Sequence, residues 1–546
     1  MSETGDGDDD VVFGRSAGDE DRPGITRQRF LKRSAGSVAG LTGLSAFIAA
    51  CGGATGGGRP TAAATGKPPG APTGSVSLAL AGAPPSLDPT TTFSANDLPV
   101  SGNLYESLLR YDGELRPWLA TGHTVNADAT EWTFDLREGV TFHDGTAFDA
   151  GAVKSSIDYH ARSGSAVSFL VGNPAKVDAS SPARLVVRFK EPFPEFGRYM
   201  SVVKMISPKL LDGPSAVVGR RVNATPVGTG PYRFVRRQGN DVVAAAFDGY
   251  WGAGPYFKNA VFKVVPDEST RVSALQAGDL NIVTKVPPPT AAGLKGRSGL
   301  TTASVPTLTV VQLSLTAARP PFDDVRVRQA LMYAIDRQAI LDSVFRGYGV
   351  VTGSPLPPEA YGFAKPATQY EHDPEKAKSL LKAAGHTGPV EITMCTFDSL
   401  LLASSLGQAI AAMANDAGFS TKCDVVDQGV GDKDLVKGGK RKYDVVILEN
   451  GFVAGSALHV NNVEFYSQYQ GKDLLDQIAK MNAVADGPER LRMVAGVQET
   501  WARELPCLPM WAHTFIDAYD ASIAGFKPPL DGYQPQLGPA YRPASR

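Results

Sequence analysis

VEITMCTF (390–397), LLASSLGQAIAAMANDAG (401–418), STKCDVVDQ (420–428) and YDVVILEN (443–450) decide the fold class. The first, third and fourth pieces are short runs rich in apolar and β-branched residues and read as strands. The second has apolar residues every three or four positions and stops at Gly418, which reads as a helix with a glycine at its end. Just upstream, HDPEKAKSLLKAAG (372–385) reads as another helix, with Asp373 as N-cap, Pro374 at the first helical position and Gly385 as stop. Strands alternating with helices imply an α/β lobe with a parallel sheet. Ligands of such lobes bind beyond the carboxyl ends of the strands, so Glu449, Asn450 and Phe452, which follow YDVVIL, are candidate ligand contacts.

Outward from this lobe the periodicity changes. DDVRVRQALMYAIDRQAILDSVF (323–345) has helical spacing, GPERLRMVAGVQETWARE (487–504) is one more helix, and LPCLPMWAH (505–513) leads back into strand. Before about residue 305 short strands dominate. VSLALAG (76–82), ARLVVRFKEPF (183–193) and NIVTKV (281–286) are strand candidates, and PVGTGPYRFVRR (226–237) is a turn feeding a strand whose hairpin partner is DVVAAAFDGYWG (241–252). In EWTFDLREGVTF (131–142) Trp132, Phe134 and Leu136 share one face. DAGAVKSSIDYHARS (149–163) predicts a helix capped by Asp149, RVSALQAGDL (271–280) one closed by Gly278, and NLYESLLRYDG (103–113) one ending at Gly113.

A chain of 546 residues exceeds one hydrophobic core, so two or more lobes are expected. Net charge is −2; the first 50 residues hold eight acids and six bases, which leaves the remainder balanced at 48 against 48. That balance gives no basic face for nucleic acid and no general attraction to a membrane. The four cysteines, Cys51, Cys395, Cys423 and Cys507, form no CxxC pair, which argues against a zinc or redox motif. The last three lie in apolar runs and read as buried thiols, with a Cys395–Cys423 disulfide as the alternative.

The N-terminal region reads as an address. TRQRFLKR (26–33) is basic, residues 35–50 are apolar but too short to span a bilayer, and IAAC (48–51) ends the run. The pattern resembles a bacterial lipobox, which implies an acylated Cys51 and a location on the outer face of the cytoplasmic membrane. RQRFLK also resembles a twin-arginine signal, with Gln28 in place of its second arginine, so the secretory and twin-arginine routes both stay open. Residues 51–75 are a Gly/Ala/Pro/Thr tether.

Eight segments in order, SLDP (86–89), NLYESLL (103–109), WTFDLREGVTFHDGTAFDAGAV (132–153), GTGPYRF (228–234), YWG (250–252), DVRVRQALMYAIDRQAI (324–340), DPEKAKSLL (373–381) and YDVVIL (443–448), resemble family 5 of the extracellular solute-binding proteins, the dipeptide-, oligopeptide- and nickel-binding receptors of ABC importers. The resemblance implies an α/β, two-lobed type II periplasmic-binding fold with an extra α+β subdomain inserted in lobe I. Lobe I then takes 76–110, 211–305 and 509–546, the subdomain 111–210, and lobe II 306–508. It implies capture of a peptide or other small solute, ABC permease and ATPase subunits as partners, a monomer, and no cofactor or catalysis. In peptide binders of this family an aromatic and then an aspartate follow the YDVVIL strand, the aspartate pairing with the ligand amine. Asn450 and about Val453 stand in those places, so either Glu449 replaces the aspartate or the solute is not a free-amine peptide. A sugar oligomer, an opine-like compound and a metal chelate are the alternatives, as is a ligand-presenting signalling lipoprotein on the same fold.

Other motifs carry less. GRSAG (14–18) matches a hydrolase elbow without the strand that motif needs. His143-Asp144-Gly145 predicts a turn with an Asx-type bond, and the seven histidines show no metal-ligand spacing. Gly228-Thr229-Gly230-Pro231 opens a strand and so reads as a tight turn; the resemblance places it near the cleft, which makes Thr229 and Gly230 candidate contacts. Tyr105 and Trp511 are the aromatic candidates for the cleft.

Overall fold

The computed structural model describes residues 67–91, 94–162, 164–427, 441–451 and 467–543. The export signal with Cys51, most of the tether, the GRSAG match and Phe452 lie outside them.

A sheet of 11 strands runs through the described molecule. Six of its strands matter below: β1 (Ser75–Leu80), β2 (Ile282–Val283), β3 (Leu300–Leu315), β4 (Met394–Phe397), β5 (Val445–Gly451) and β6 (Cys507–Asp520). One half of the sheet is centred on β1, which runs parallel to Asn259–Val264 and to β2. The other half has β4 parallel to both Cys423–Val426 and β5, the parallel lobe expected from the 390–450 pattern. Only the β3–β6 pair joins the halves in the strand order: β3 lies against β5, and β6 lies against β2. The pairing of β3 with β6 is antiparallel, from Leu300 opposite Asp520 to Ser314 opposite Cys507, and it breaks register between Pro306 and Val310. Pro306 has no N–H to give to the ladder, so the irregularity falls where the chain passes from one half to the other.

Each half has its own core. Val76, Leu78, Tyr232, Phe262 and Ile282 pack together in the first. Leu313, Val327, Leu331, Ile410 and Ile447 do so in the second. A third cluster belongs to a separate antiparallel sheet of four strands, Ala120–Val125, Glu131–Leu136, Arg184–Arg188 and Lys176–Ser181. There Trp132, Phe134 and Leu136 all face the core, joined by Phe196 and by Val153 and Ile157 of the helix Ala150–Ala161. That helix starts where its sequence says, with the Asp149 carboxylate accepting from the N–H of Ala152 at 2.9 Å. Asp373 caps Pro374–Ala383 in the same way through Lys376.

Two expectations differ, and the cysteines keep the leading one, free thiols. NLYESLLRYDG is not one helix: the helix is Leu98–Leu104, and Leu109–Tyr111 is a strand turning back at Gly113 onto Leu115–Pro117. Helical spacing here is overridden by tertiary partners, because Glu106 is drawn into four side-chain hydrogen bonds described below. The 323–345 helix is two, Val325–Ala334 and Arg337–Ser343. Asp336 caps the second through Ala339 N–H, and the buried Arg337 guanidinium is held by the carbonyls of Thr352 and Tyr370. Cys395 and Cys423 are free thiols, as is Cys507. Cys423 stands opposite Met394, one residue out of register with Cys395, so the two thiols leave opposite faces of the sheet.

Candidate functional site

The β5 strand ends in Glu449-Asn450-Gly451 at the edge of the second half. Glu449 stands opposite Val311 of β3, and Val311 opposite Trp511 of β6, so the three form a row across one face. Alternate residues of β6, Trp511, His513, Phe515 and Asp517, continue that face toward the first half. The His513 ring stacks on Phe515 at 5.2 Å, Phe345 packs on both Trp511 and His513, and His513 Nε2 lies 3.1 Å from Glu449 Oε1. Burial alone pushes the Glu449 carboxyl up. His513, Lys285 and the backbone N–H of Leu401, in the loop beyond β4, outweigh it and hold the carboxyl below its usual range.

From the first half, β2 delivers Lys285. Its backbone is left-handed, φ 54°, and its N–H donates to Asp517 Oδ1 at 3.1 Å. Its ammonium lies 3.5 Å from the ring centre of Tyr533 and 4.4 Å from that of Phe515. Burial lowers Lys285 to about 8 against the pull of Glu449, Asp517 and Asp531, and burial raises Asp517 to about 7. Asp531 accepts from the N–H groups of Tyr533 and Gln534 and from the Gln534 amide, whose oxygen accepts from Lys204 Nζ at 2.9 Å. A chain of charged and amide groups thus runs from Lys204 to Glu449 across the place where the sheet halves meet. Three buried polar atoms on the β6 face, Trp511 Nε1, His513 Nδ1 and Asp517 Oδ2, have no hydrogen-bond partner among the described residues. Unpartnered buried atoms also occur away from this face, at Ser107 Oγ and Thr301 Oγ1 among others, so these three count for their grouping on one face.

The candidates from the sequence divide. Glu449 and Trp511 belong to this floor. Asn450 is buried beside them but stands opposite Val310, so its side chain leaves the other face. Tyr105 is packed in the first core, with its hydroxyl donating to Leu87 O at 3.1 Å. Thr229 is wholly buried and donates to Glu106 Oε2 at 2.9 Å. Trp118, Trp251 and Tyr250 donate to the same carboxylate. Gly228 and Gly230 lie on the 103–105 backbone so closely that an added Cβ would come within 2.3 Å of Leu104 O and 2.6 Å of Asn103 O. His143 clamps this turn through Gly230 O and the N–H of Gly228, and burial lowers it to about 4. Asp144 makes the expected Asx bond to Thr146 N–H at 3.0 Å. Tyr105, Thr229 and Gly230 therefore hold the first half and the four-stranded module together and are not gathered with Glu449. Among the described residues no group of three His, Cys, Asp or Glu side chains could hold a metal.

Sequence reasoning missed Lys285, His513, Asp517 and Tyr533. The signal for two of them was present: Lys285 interrupts NIVTKV, and His513 closes the apolar run LPCLPMWAH.

Residues 114–470 match the profile of the bacterial extracellular solute-binding proteins, family 5. The chain belongs to this family. It is similar to the glutathione-binding protein GsiB of Escherichia coli strain K12, 29% identical over 468 residues, which cover 81% of this chain and 89% of that one. The fold is that of the periplasmic binding protein DppA from Helicobacter pylori in complex with the peptide STSA (TM-score 0.75, 21% identity, 86% of this chain and 98% of that one). It is equally close to AgaA from A. tumefaciens in complex with agropinic acid (TM-score 0.74, 24% identity, 87% and 99%). The family members are two-lobed extracytoplasmic binding proteins, and capture of a solute is the function class of this chain. Among the described residues no helix is long and apolar enough to cross a membrane.

Proposed function

We propose that the protein is the lipid-anchored solute-binding component of an ABC importer, capturing a peptide or other small solute between two lobes for a permease and its ATPase. The observation that carries the reading is the floor between the sheet halves. Among the described residues it gathers charged side chains from both halves, includes three buried polar atoms without hydrogen-bond partners, and rests on the one strand pair that joins the halves in the sheet order. Two separate cores joined by one strand pair that breaks register between Pro306 and Val310 suit hinge closure around a ligand. We take lobe I as 76–110, 211–305 and 509–546, lobe II as 306–508, and 111–210 as the inserted subdomain. Cys51, at the end of the IAAC run, is the acylated residue, and two or more acyl chains give stable anchoring where one does not.

The solute's chemistry is narrowed by Glu449. A peptide amine held as in the family's peptide binders needs a free carboxylate, and that of Glu449 is already engaged by His513 and by Leu401 N–H. We therefore place Glu449 and Trp511 beside the solute as shaping residues and not as an amine anchor, with Phe452, three residues on from Glu449 in sequence, as a further candidate contact. The relative that binds glutathione makes that tripeptide the first probe. Thermal unfolding of the purified chain against glutathione, di- and oligopeptides, opine-like acids and nickel chelates tests the reading. A solute at 100 times its dissociation constant stabilises by about 2.7 kcal/mol, a shift of a few degrees. A chain whose melting point none of these moves would refute it.

A further inference from the structure

Lys285 is placed as a side chain waiting for a partner. Its ammonium makes no hydrogen bond or ion pair with any described residue; its neighbours are the ring faces of Tyr533 and Phe515. Those faces attract a cation but leave its three N–H donors without acceptors. Lys285 is half-buried and its Nζ is not one of the buried polar atoms without partners, so the ammonium is still open to water and a solute group can reach it. The nearby carboxylates are turned elsewhere. Glu449 faces His513, Asp531 is held by the Tyr533 and Gln534 N–H groups, and Asp517 meets only the Lys285 backbone N–H.

The backbone adds an independent observation. Lys285 adopts a left-handed φ of 54°, which costs a residue with a Cβ about 1 kcal/mol or more. The strain is fixed by the bond from its N–H to Asp517, on the neighbouring strand β6. This twist turns a lysine that follows an apolar strand of the first half toward the end of β5 in the second, within electrostatic reach of Glu449. Strain of this kind gathers at ligand clamps.

We propose that Lys285 is the counter-charge for a carboxylate on the captured solute, so that the protein selects acids over their neutral esters and amides. The inference rests on the solute-capture reading and goes further by naming the group that is recognised and the residue that recognises it.

Calorimetric titration of the full chain with two pairs of probes tests it: glutathione against its diethyl ester, and trialanine against its C-terminal amide. The wild type binds the acid of a pair about 30-fold or more tighter than its ester or amide, the loss expected when one member of a buried charge pair is removed. Lys285→Met removes that preference by weakening the acid alone, while Lys285→Arg retains it. Melting curves of both variants confirm the fold. Lys285→Met with wild-type affinity for the acid, or a wild type indifferent to the ester and amide, overturns the anchor and leaves solute capture standing. A wild type that binds none of the four probes overturns the peptide reading and the anchor with it.

Discussion

Glu195→Ala should weaken the contact between the four-stranded module and the second half of the molecule by several kcal/mol. Glu195 precedes the short helix Phe196–Tyr199 and is 2% exposed. Its carboxylate is hydrogen-bonded to Arg490 of the helix Pro488–Glu504, which is 0% exposed. Asp486 completes the group, 3.4 Å from Arg490 Nη1 and 3.0 Å from Arg198 Nη2, and the Arg198 guanidinium lies 3.7 Å from the ring centre of Tyr361. Two arginines and Glu195 are thus buried, with the exposed Asp486 at their rim, where residues 195–198 meet residues 361 and 486–490. Removing one partner of such a pair costs about 3–5 kcal/mol, because a charge is left buried. Asp486 retains part of the attraction to Arg490, so the lower end of that range is expected. The cost applies only while the two surfaces are in contact; separated, Arg490 returns to water. The variant should therefore open the molecule, raise its radius of gyration in X-ray scattering, and weaken solute binding by about 100-fold, at 1.4 kcal/mol per tenfold. Replacing both groups, Glu195→Leu with Arg490→Met, should restore much of the contact, since apolar side chains of similar volume commonly match or exceed a buried pair. A Glu195→Ala protein with unchanged dimensions and affinity, or a double variant as impaired as the single one, would refute this reasoning.

Other perturbations have equally definite outcomes. Burial lowers His160 from 6.5 to about 4, so the unfolded chain binds the extra proton between those values; stability is full above pH 6.5 and falls by about 3 kcal/mol toward pH 4. Urea unfolding across that range checks this; His143, also lowered to about 4, adds a slope of the same sign, so His160→Phe should make the profile shallower by the His160 share and leave the His143 share in place. Glu106→Gln should cost about 2–4 kcal/mol in chemical unfolding, because an amide cannot accept from Trp118, Trp251, Tyr250 and Thr229 together. Gly230→Ala drives a methyl to 2.6 Å from Asn103 O and should destabilise by about 1–3 kcal/mol, while Gly496→Ala, with nothing within 4 Å, should not. Cys51→Ser should move the protein from the membrane fraction to the soluble one; a variant that stays with membranes contradicts the lipid anchor.

Much of the fold was legible because local signals and tertiary structure agree. Asp149, Asp373, Gly278 and Gly385 stand at helix ends where caps and stops are needed, and Trp132, Phe134 and Leu136 alternate because one face of their strand is buried. The reading failed where long-range partners outweigh periodicity, at Glu106 among its four donors and at Arg337 between two distant carbonyls. The site was less legible for the same reason. Glu449 and Trp511 follow from strand ends and aromatic character, but nothing local to Lys285, His513 or Asp517 says that 64 and 68 residues of sequence respectively separate Glu449 from two of its neighbours on one floor. They meet because β2, β5 and β6 converge on the β3–β6 crossing, a property of topology and register.

The central claim is that a solute closes two lobes about the β3–β6 crossing. X-ray scattering from the full chain, free and with saturating glutathione, tests it most directly. Closure predicts a smaller radius of gyration with solute present, reversed when the solute is dialysed away. Binding detected by calorimetry with no change in dimensions would contradict capture by lobe closure.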